Sequence, residues 1–221
     1  MKVLKPILLV MSVLSITLSY AQQQAIKIGA GLGGVPYEGT PGFNVELQYE
    51  RTFGAWPTLF VALGMNGDNF TVNGRSTGSS NGETWDNSYQ YSYNERFVYV
   101  DIGLANRLLR LGKVYELRLA AGISAAQSRF NYPETLFINR GIITEREDTK
   151  HRVGVLMFNC ALENNFKLGN NFTLGLKGAL RSTFEEIHIL ERVVNYEFGQ
   201  SSSTSGILNI PTITLQMGYS F

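Results

Sequence analysis

The chain has 221 residues, 44% of them hydrophobic and 17% charged, with a formal net charge of +1. That length fits one domain or two small ones. Nineteen basic residues against eighteen acidic ones leave no basic excess of the kind that binds nucleic acid, so no such partner is expected.

The first twenty-one residues read as a sorting signal. Lys2 and Lys5 make a positive start, Ile7 to Leu18 an apolar stretch, and Ser19-Tyr20-Ala21 supplies small residues at a cleavage position. A segment of this length with these flanks is expected to be removed after Ala21, leaving 22–221 as the mature chain. Cys160 is the only cysteine, so no lipid-attachment cysteine follows the signal and no disulfide forms within one chain.

No apolar run of about twenty residues follows, which excludes transmembrane helices. Alternation with period two recurs instead, the mark of a strand with two unlike faces. Phe43, Val45, Leu47 and Tyr49 alternate with Asn44, Glu46, Gln48 and Glu50. In chain order such stretches fall at about 25–33, 42–53, 58–66, 94–107, 114–128, 152–166, 171–184 and 207–221. The sequence therefore predicts an all-β fold of eight antiparallel strands.

The connections alternate in length. Those at 54–57, 108–113 and 167–170 are short, whereas those at about 34–41, 67–93, 129–151 and 185–206 are long and rich in Gly, Ser, Asn, Thr and charge. Tight turns at one end and long loops at the other predict an up-and-down transmembrane barrel with external loops. Ten strands result if the hairpin that Asn139-Arg140-Gly141 could turn in the third loop inserts into the wall.

The two faces of the strands can be assigned. One collects Ile26, Ile28, Leu32, Leu59, Val61, Leu63, Met65, Val98, Val100, Ile102, Leu104, Leu119, Ile123, Leu156, Phe158, Leu162, Leu176, Leu180, Ile213, Leu215 and Met217. The other collects charge among small residues such as Gly29, Ala62, Gly64, Ala105, Ala120 and Ala179. Small residues suit the cramped inside of an eight-stranded barrel, so the charged face is expected to line the lumen. There Glu46, Glu50, Asp101, Glu116 and Glu163 roughly balance Lys27, Arg118, Lys177 and Arg181, with Arg107 near the periplasmic rim. An unpaired charge in such a place is costly, so these residues are expected to form an ionic network that closes the lumen. Tyr49, Phe53, Trp56, Tyr115, Phe166, Phe172, Tyr219 and Phe221 gather near the short turns, as an interfacial girdle does.

The final stretch alternates through Leu215, Met217 and Tyr219 to a terminal Phe221. It resembles the C-terminal signal by which outer-membrane barrels are recognised for assembly. With the amino-terminal signal and the eight strands, the chain resembles the small outer membrane protein β-barrel domain families of the OmpA/OmpX-like class. The glycine such families carry five residues before the last aromatic is replaced here by Gln216, with Gly218 displaced. The resemblance implies a Gram-negative outer-membrane location, contact with outer-membrane lipid and lipopolysaccharide, and engagement of the barrel assembly machinery. It implies no activity.

Other motifs point to no chemistry of their own. Gly29-Ala30-Gly31-Leu32-Gly33-Gly34 matches G-x-G-x-x-G, but the following Val35-Pro36 cannot start the helix that a dinucleotide loop needs. His151 and His188 fall in or beside the third and fourth long loops. Ser182, Glu185, Glu186 and His188 would be the elements of a lipid-A-modifying enzyme, without a recognisable motif. No Cys/His spacing suits a metal, and no cofactor is expected. The mixed-charge run Thr144 to Arg152 reads most simply as a solvated loop, with binding of divalent cations or lipopolysaccharide head groups as the alternative. The apolar stretches Leu136–Ile143 and Ile187–Val194 read either as docking edges for another envelope protein or as loops packed on one another. The expectation is a non-enzymatic barrel, structural or interaction-mediating. The alternatives are the lipid-A enzyme and a narrow channel for hydrophobic solutes, hinted at by inward Leu208 and Ile210.

Overall fold

The computed structural model describes residues 23–34, 41–53, 57–80, 82–140, 142–184, 187–194 and 200–221. The expected signal segment 1–21 and Trp56 lie outside them. Ten strands follow in order: β1 (Gln23–Gly34), β2 (Pro41–Thr52), β3 (Thr58–Ser80), β4 (Glu83–Leu111), β5 (Tyr115–Asn139), β6 (Ile142–Leu168), β7 (Phe172–Thr183), β8 (Ile187–Val194), β9 (Gln200–Gly206) and β10 (Asn209–Ser220).

Eight of them close an antiparallel barrel in the order β1-β10-β7-β6-β5-β4-β3-β2, and β8 and β9 pair separately as a hairpin. The two extra strands thus belong to the fourth long connection and not to the wall. Closure joins the first strand to the last. Gln24 donates its backbone N–H to the Phe221 carbonyl at 3.2 Å, and Phe221 returns one to Gln24 at 2.9 Å.

Period-two patterning places the side chains as a membrane barrel requires. Ile28, Leu156, Ile213 and Met217 are each more than 60% exposed on the outer face, while Lys177, Arg181 and Glu163 are no more than 2% exposed inside. A soluble barrel would bury the first set and hydrate the second. An apolar belt this extensive is stable only against lipid.

The short turns are tight. Gly112 (φ +60°) and Gly169 (φ +81°) adopt backbone conformations that side-chain-bearing residues avoid. Beside them Tyr115 packs on Phe166 (centroids 5.1 Å apart), and Phe172 on Tyr219 (5.2 Å). Inside, small residues let strands approach. A Cβ on Gly122 would lie 2.2 Å from the Ile102 carbonyl oxygen, and one on Gly64 would enter the Tyr99 ring.

The largest departure from the sequence expectation is at the long connections. The segments 67–93 and 129–151, read as loops, are mostly strand. β3 and β4 pair without interruption from Thr58↔Ala105 to Ser80↔Glu83, and β5 and β6 pair as far as Asn139↔Ile142. β4 and β5 part above Asn94↔Asn131, so two hairpins rise from the wall. Glycine does not break the first hairpin because aromatic rings cover it: a Cβ on Gly74 would strike the Tyr89 ring, and one on Gly78 the Trp85 indole.

Candidate functional site: the lumen and the raised hairpins

The nine predicted lumen charges point inward and form two groups, the upper one balanced and the lower one balanced once Arg107 is counted. In the lower one, Lys27 bridges Glu50 (2.6 Å) and Glu163 (2.9 Å), and Arg118 bridges Glu50 (2.7 Å) and Glu163 (3.7 Å). Glu116 extends it toward the periplasm, 4.0 Å from Arg118 and 3.4 Å from the half-exposed Arg107. In the upper group, Lys177 bridges Glu46 (2.6 Å), and Arg181 bridges Glu46 (3.3 Å) and Asp101 (2.6 Å).

Uncharged side chains on the same inward phase complete the network. Gln48 links the two groups: its amide nitrogen donates to Glu50 (2.6 Å) and Glu163 (3.1 Å), and its oxygen accepts from Lys177 (2.7 Å). The Tyr99 hydroxyl donates to Glu46 (3.1 Å) and accepts from Asn44 (3.0 Å), and Ser124 donates to Asp101 (2.6 Å). Sequence reasoning centred on charge passed over Gln48 and Tyr99, although their even and odd positions on β2 and β4 marked them as inward-facing.

Above the ions lies an apolar layer, with the buried Glu95 carboxylate beyond it accepting from Ser128 (2.8 Å). Phe97, Tyr99, Ala126, Met157, Leu208 and Ile210 form one buried cluster, in which Phe97, Met157 and Ile210 have no exposed surface. Leu208 and Ile210 are therefore packing groups in a filled space. At the periplasmic end a polar cavity of about 80 Å³ reaches Lys27, Glu50 and Arg118. The nine lumen charges are each ion-paired and the apolar cluster above them is buried, so the arrangement braces the wall from within.

The C-terminal residues Leu215, Met217, Tyr219 and Phe221 lie exposed on the outer face, with Tyr219 stacked on Phe221 (6.4 Å). The elements of the enzyme alternative are not assembled among the described residues. Glu185 and Glu186 lie outside them, the side chains of His151 and His188 are not described, and Ser182 sits on the lipid-facing phase of β7. No group of three metal-ligating side chains occurs among the described residues.

Outside the membrane the raised hairpins touch at their tips. Arg140, at the turn between β5 and β6 (φ +48°), pairs with Glu83 (2.9 Å) and stacks over Trp85 (5.1 Å). Asn87 donates to the Arg140 carbonyl (2.6 Å). Farther down the first hairpin, Arg75 pairs with Asp86.

No protein-family model matches the sequence, and no curated protein is significantly similar to it. Solved structures are similar in fold. A major outer membrane protein from Thermus thermophilus superposes with a TM-score of 0.52 at 14% identity, over 90% of this chain and 99% of that one. Neisserial surface protein A superposes at 0.50 with 8% identity, over 90% and 95%. Ail of Yersinia pestis, in complex with the heparin analogue sucrose octasulfate, gives 0.48 at 14% identity, over 90% and 98%. Inverted polarity, the closed eight-stranded topology and the first two likenesses agree: the fold is that of the small outer-membrane β-barrels.

Proposed function

We propose that the chain is a non-enzymatic outer-membrane barrel, closed to solutes, that works through the surface its raised hairpins present outside the cell. It would be a structural or interaction-mediating element of the envelope. The observation that carries this reading is the pairing of a filled lumen with long external hairpins. A channel needs a hydrated axis, whereas here Arg181, Glu163 and Gln48 are buried with their partners beneath an apolar plug. Strand continues some thirteen residues beyond the bilayer on β3 alone, from Asp68 to Ser80. Natural proteins keep that much ordered backbone out of the wall for what it meets there.

Three measurements test the reading. Purified barrel in planar bilayers should give no steady conductance; channels of defined size would overturn closure. Lipid A from cells with and without the gene should carry the same acyl pattern by mass spectrometry; a changed pattern would overturn the non-enzymatic part. Crosslinking in cells through positions on the β3–β4 hairpin should then capture a specific envelope partner. Its repeated absence would leave a plain structural role.

A further inference from the structure

Three arginines far apart in sequence are brought side by side on the lipid-facing surface. Arg96 on β4 stands directly opposite Arg129 on β5, and Arg129 directly opposite Arg152 on β6. All three are exposed, and Lys150, one step higher on the same face of β6, is exposed as well. Like charges directly opposed across a ladder destabilise a sheet. Yet neither Arg96 nor Arg152 has an ion-pair partner among the described residues, and Arg129 makes only a hydrogen bond from its Nε to Gln127 (2.8 Å). Such a row costs the barrel stability unless something anionic covers it.

The level of the row identifies the covering group. Arg96 and the rim residue Arg107 are eleven positions apart on one strand, which at about 3.3 Å per residue and a tilt of about 40° makes roughly 28 Å of height. Between them the outward positions include Val98, Val100, Ile102 and Leu104. The arginines therefore stand at the upper edge of the apolar belt, on the side of the long hairpins, at headgroup depth in the outer leaflet. Immediately beneath them the wall is shallowly recessed. An open groove of about 540 Å³ runs over Val98, Val100, Ala125, Gly154 and Leu156, because Ala125 is small and Gly154 has no side chain and no neighbour within 4 Å of where one would be. Phe43, whose ring covers Gly67 next to Arg96, bounds the row on the other side.

We infer that this face is a binding site for one molecule of phosphorylated saccharolipid, the lipid A portion of lipopolysaccharide. Its phosphates would lie across Arg96, Arg129 and Arg152, and an acyl chain in the groove below. A cationic row alone would suit any anion. The groove beneath it requires an amphiphile, and the spread of charge over three strands, about 10 Å at the 4.8 Å strand spacing, suits a headgroup with separated phosphates better than one phosphodiester.

The test uses the whole barrel in detergent micelles, titrated separately with diphosphoryl lipid A, monophosphoryl lipid A, phosphatidylglycerol and inorganic phosphate, with bound lipid read by native mass spectrometry. One diphosphoryl lipid A per barrel is expected, bound at least tenfold more tightly than phosphatidylglycerol and several-fold more tightly than the monophosphoryl form. Inorganic phosphate at millimolar concentration should not displace it. The triple variant Arg96→Gln, Arg129→Gln, Arg152→Gln should lose at least tenfold in affinity while keeping its heat-modifiable migration. Gly154→Phe, which fills the groove and leaves the charges, should lose about threefold or more. Equal binding of phosphatidylglycerol, displacement by free phosphate, or unchanged affinity in the triple variant would each overturn the site. If the triple variant does not fold, Arg129→Gln and Gly154→Phe decide, and unchanged affinity in both overturns it.

Discussion

The guanidinium of Arg181 lies over the ring of Tyr99, 3.5 Å from its centroid, in the most deeply buried part of the lumen. From there its Nε reaches both oxygens of Asp101 at 3.2 Å, and one Nη reaches Asp101 at 2.6 Å and Glu46 at 3.3 Å. A planar, stacked, forked cation is not replaceable by an ammonium. Arg181→Lys should lower stability by about 3 kcal/mol, as loss of a buried pairing does. Tyr99→Phe keeps the ring and loses two hydrogen bonds, at about 1–2 kcal/mol. The temperature at which the compact band converts to the unfolded one in a detergent gel should fall in that order. An inverted order would show that the two hydroxyl bonds of Tyr99, not the forked guanidinium, dominate.

Gln48 hydrogen-bonds to members of both ionic groups. Gln48→Leu should cost about 1–3 kcal/mol by stranding the groups it served. Gln48→Glu should cost more, because it would place a third carboxylate against Glu50 and Glu163 and remove the donor that reaches both. Urea midpoints in micelles measure the two. A glutamate variant at least as stable as wild type would mean that Lys177 alone neutralises this level of the lumen.

Close approach of β4 and β5 separates two glycines that look alike in sequence. At Gly122 an added Cβ would sit 2.2 Å from a backbone oxygen, whereas at Gly154 it would meet nothing within 4 Å. Gly122→Ala should therefore cost about 1–3 kcal/mol through backbone displacement and reduce the assembled fraction, and Gly154→Ala should leave it unchanged. The ratio of folded to unfolded band after membrane extraction distinguishes them.

How much of this was legible in the sequence depended on which solvent a strand meets. Where a strand has lipid on one side and the lumen on the other, alternation is strong, and the eight wall segments, their phase and the short turns could all be read from it. Beyond the bilayer both faces of a hairpin are wet, so alternation fades although the ladder continues. Thr71, Asn73, Arg75, Thr77 and Ser79 are exposed, and their strand looks like a Gly/Ser-rich loop. The charges of the lumen were visible because each lay on a readable phase. The arginine row was not: Arg129 and Arg152 fell at the edges of a segment read as a loop, and only the register that sets them opposite Arg96 makes them one surface.

The tip contact makes the two hairpins a unit. Arg140→Ala removes an exposed pair with Glu83 and the stacking on Trp85, together about 1 kcal/mol or less, so overall stability should hardly change. Local order should change instead. Hydrogen exchange at the tip between β5 and β6 should quicken, and protease cleavage of whole cells near residue 140 should rise several-fold. Unaltered exchange would mean that the β5–β6 ladder alone holds the tip.

β7 stops at Thr183, β10 begins at Asn209 and β2 at Pro41, while β3 runs on to Ser80. At about 3.3 Å per residue the first hairpin can stand roughly 40 Å above the point where its neighbour β2 ends. The wall of strands is thus tall at β3 and β4 and shorter where the described β1 and β2 stop. A visiting molecule would find a blade standing clear of the sugars next to the membrane. Rotation about the membrane normal, meaningless for a symmetrical tube, becomes for this protein a property that its neighbours can sense.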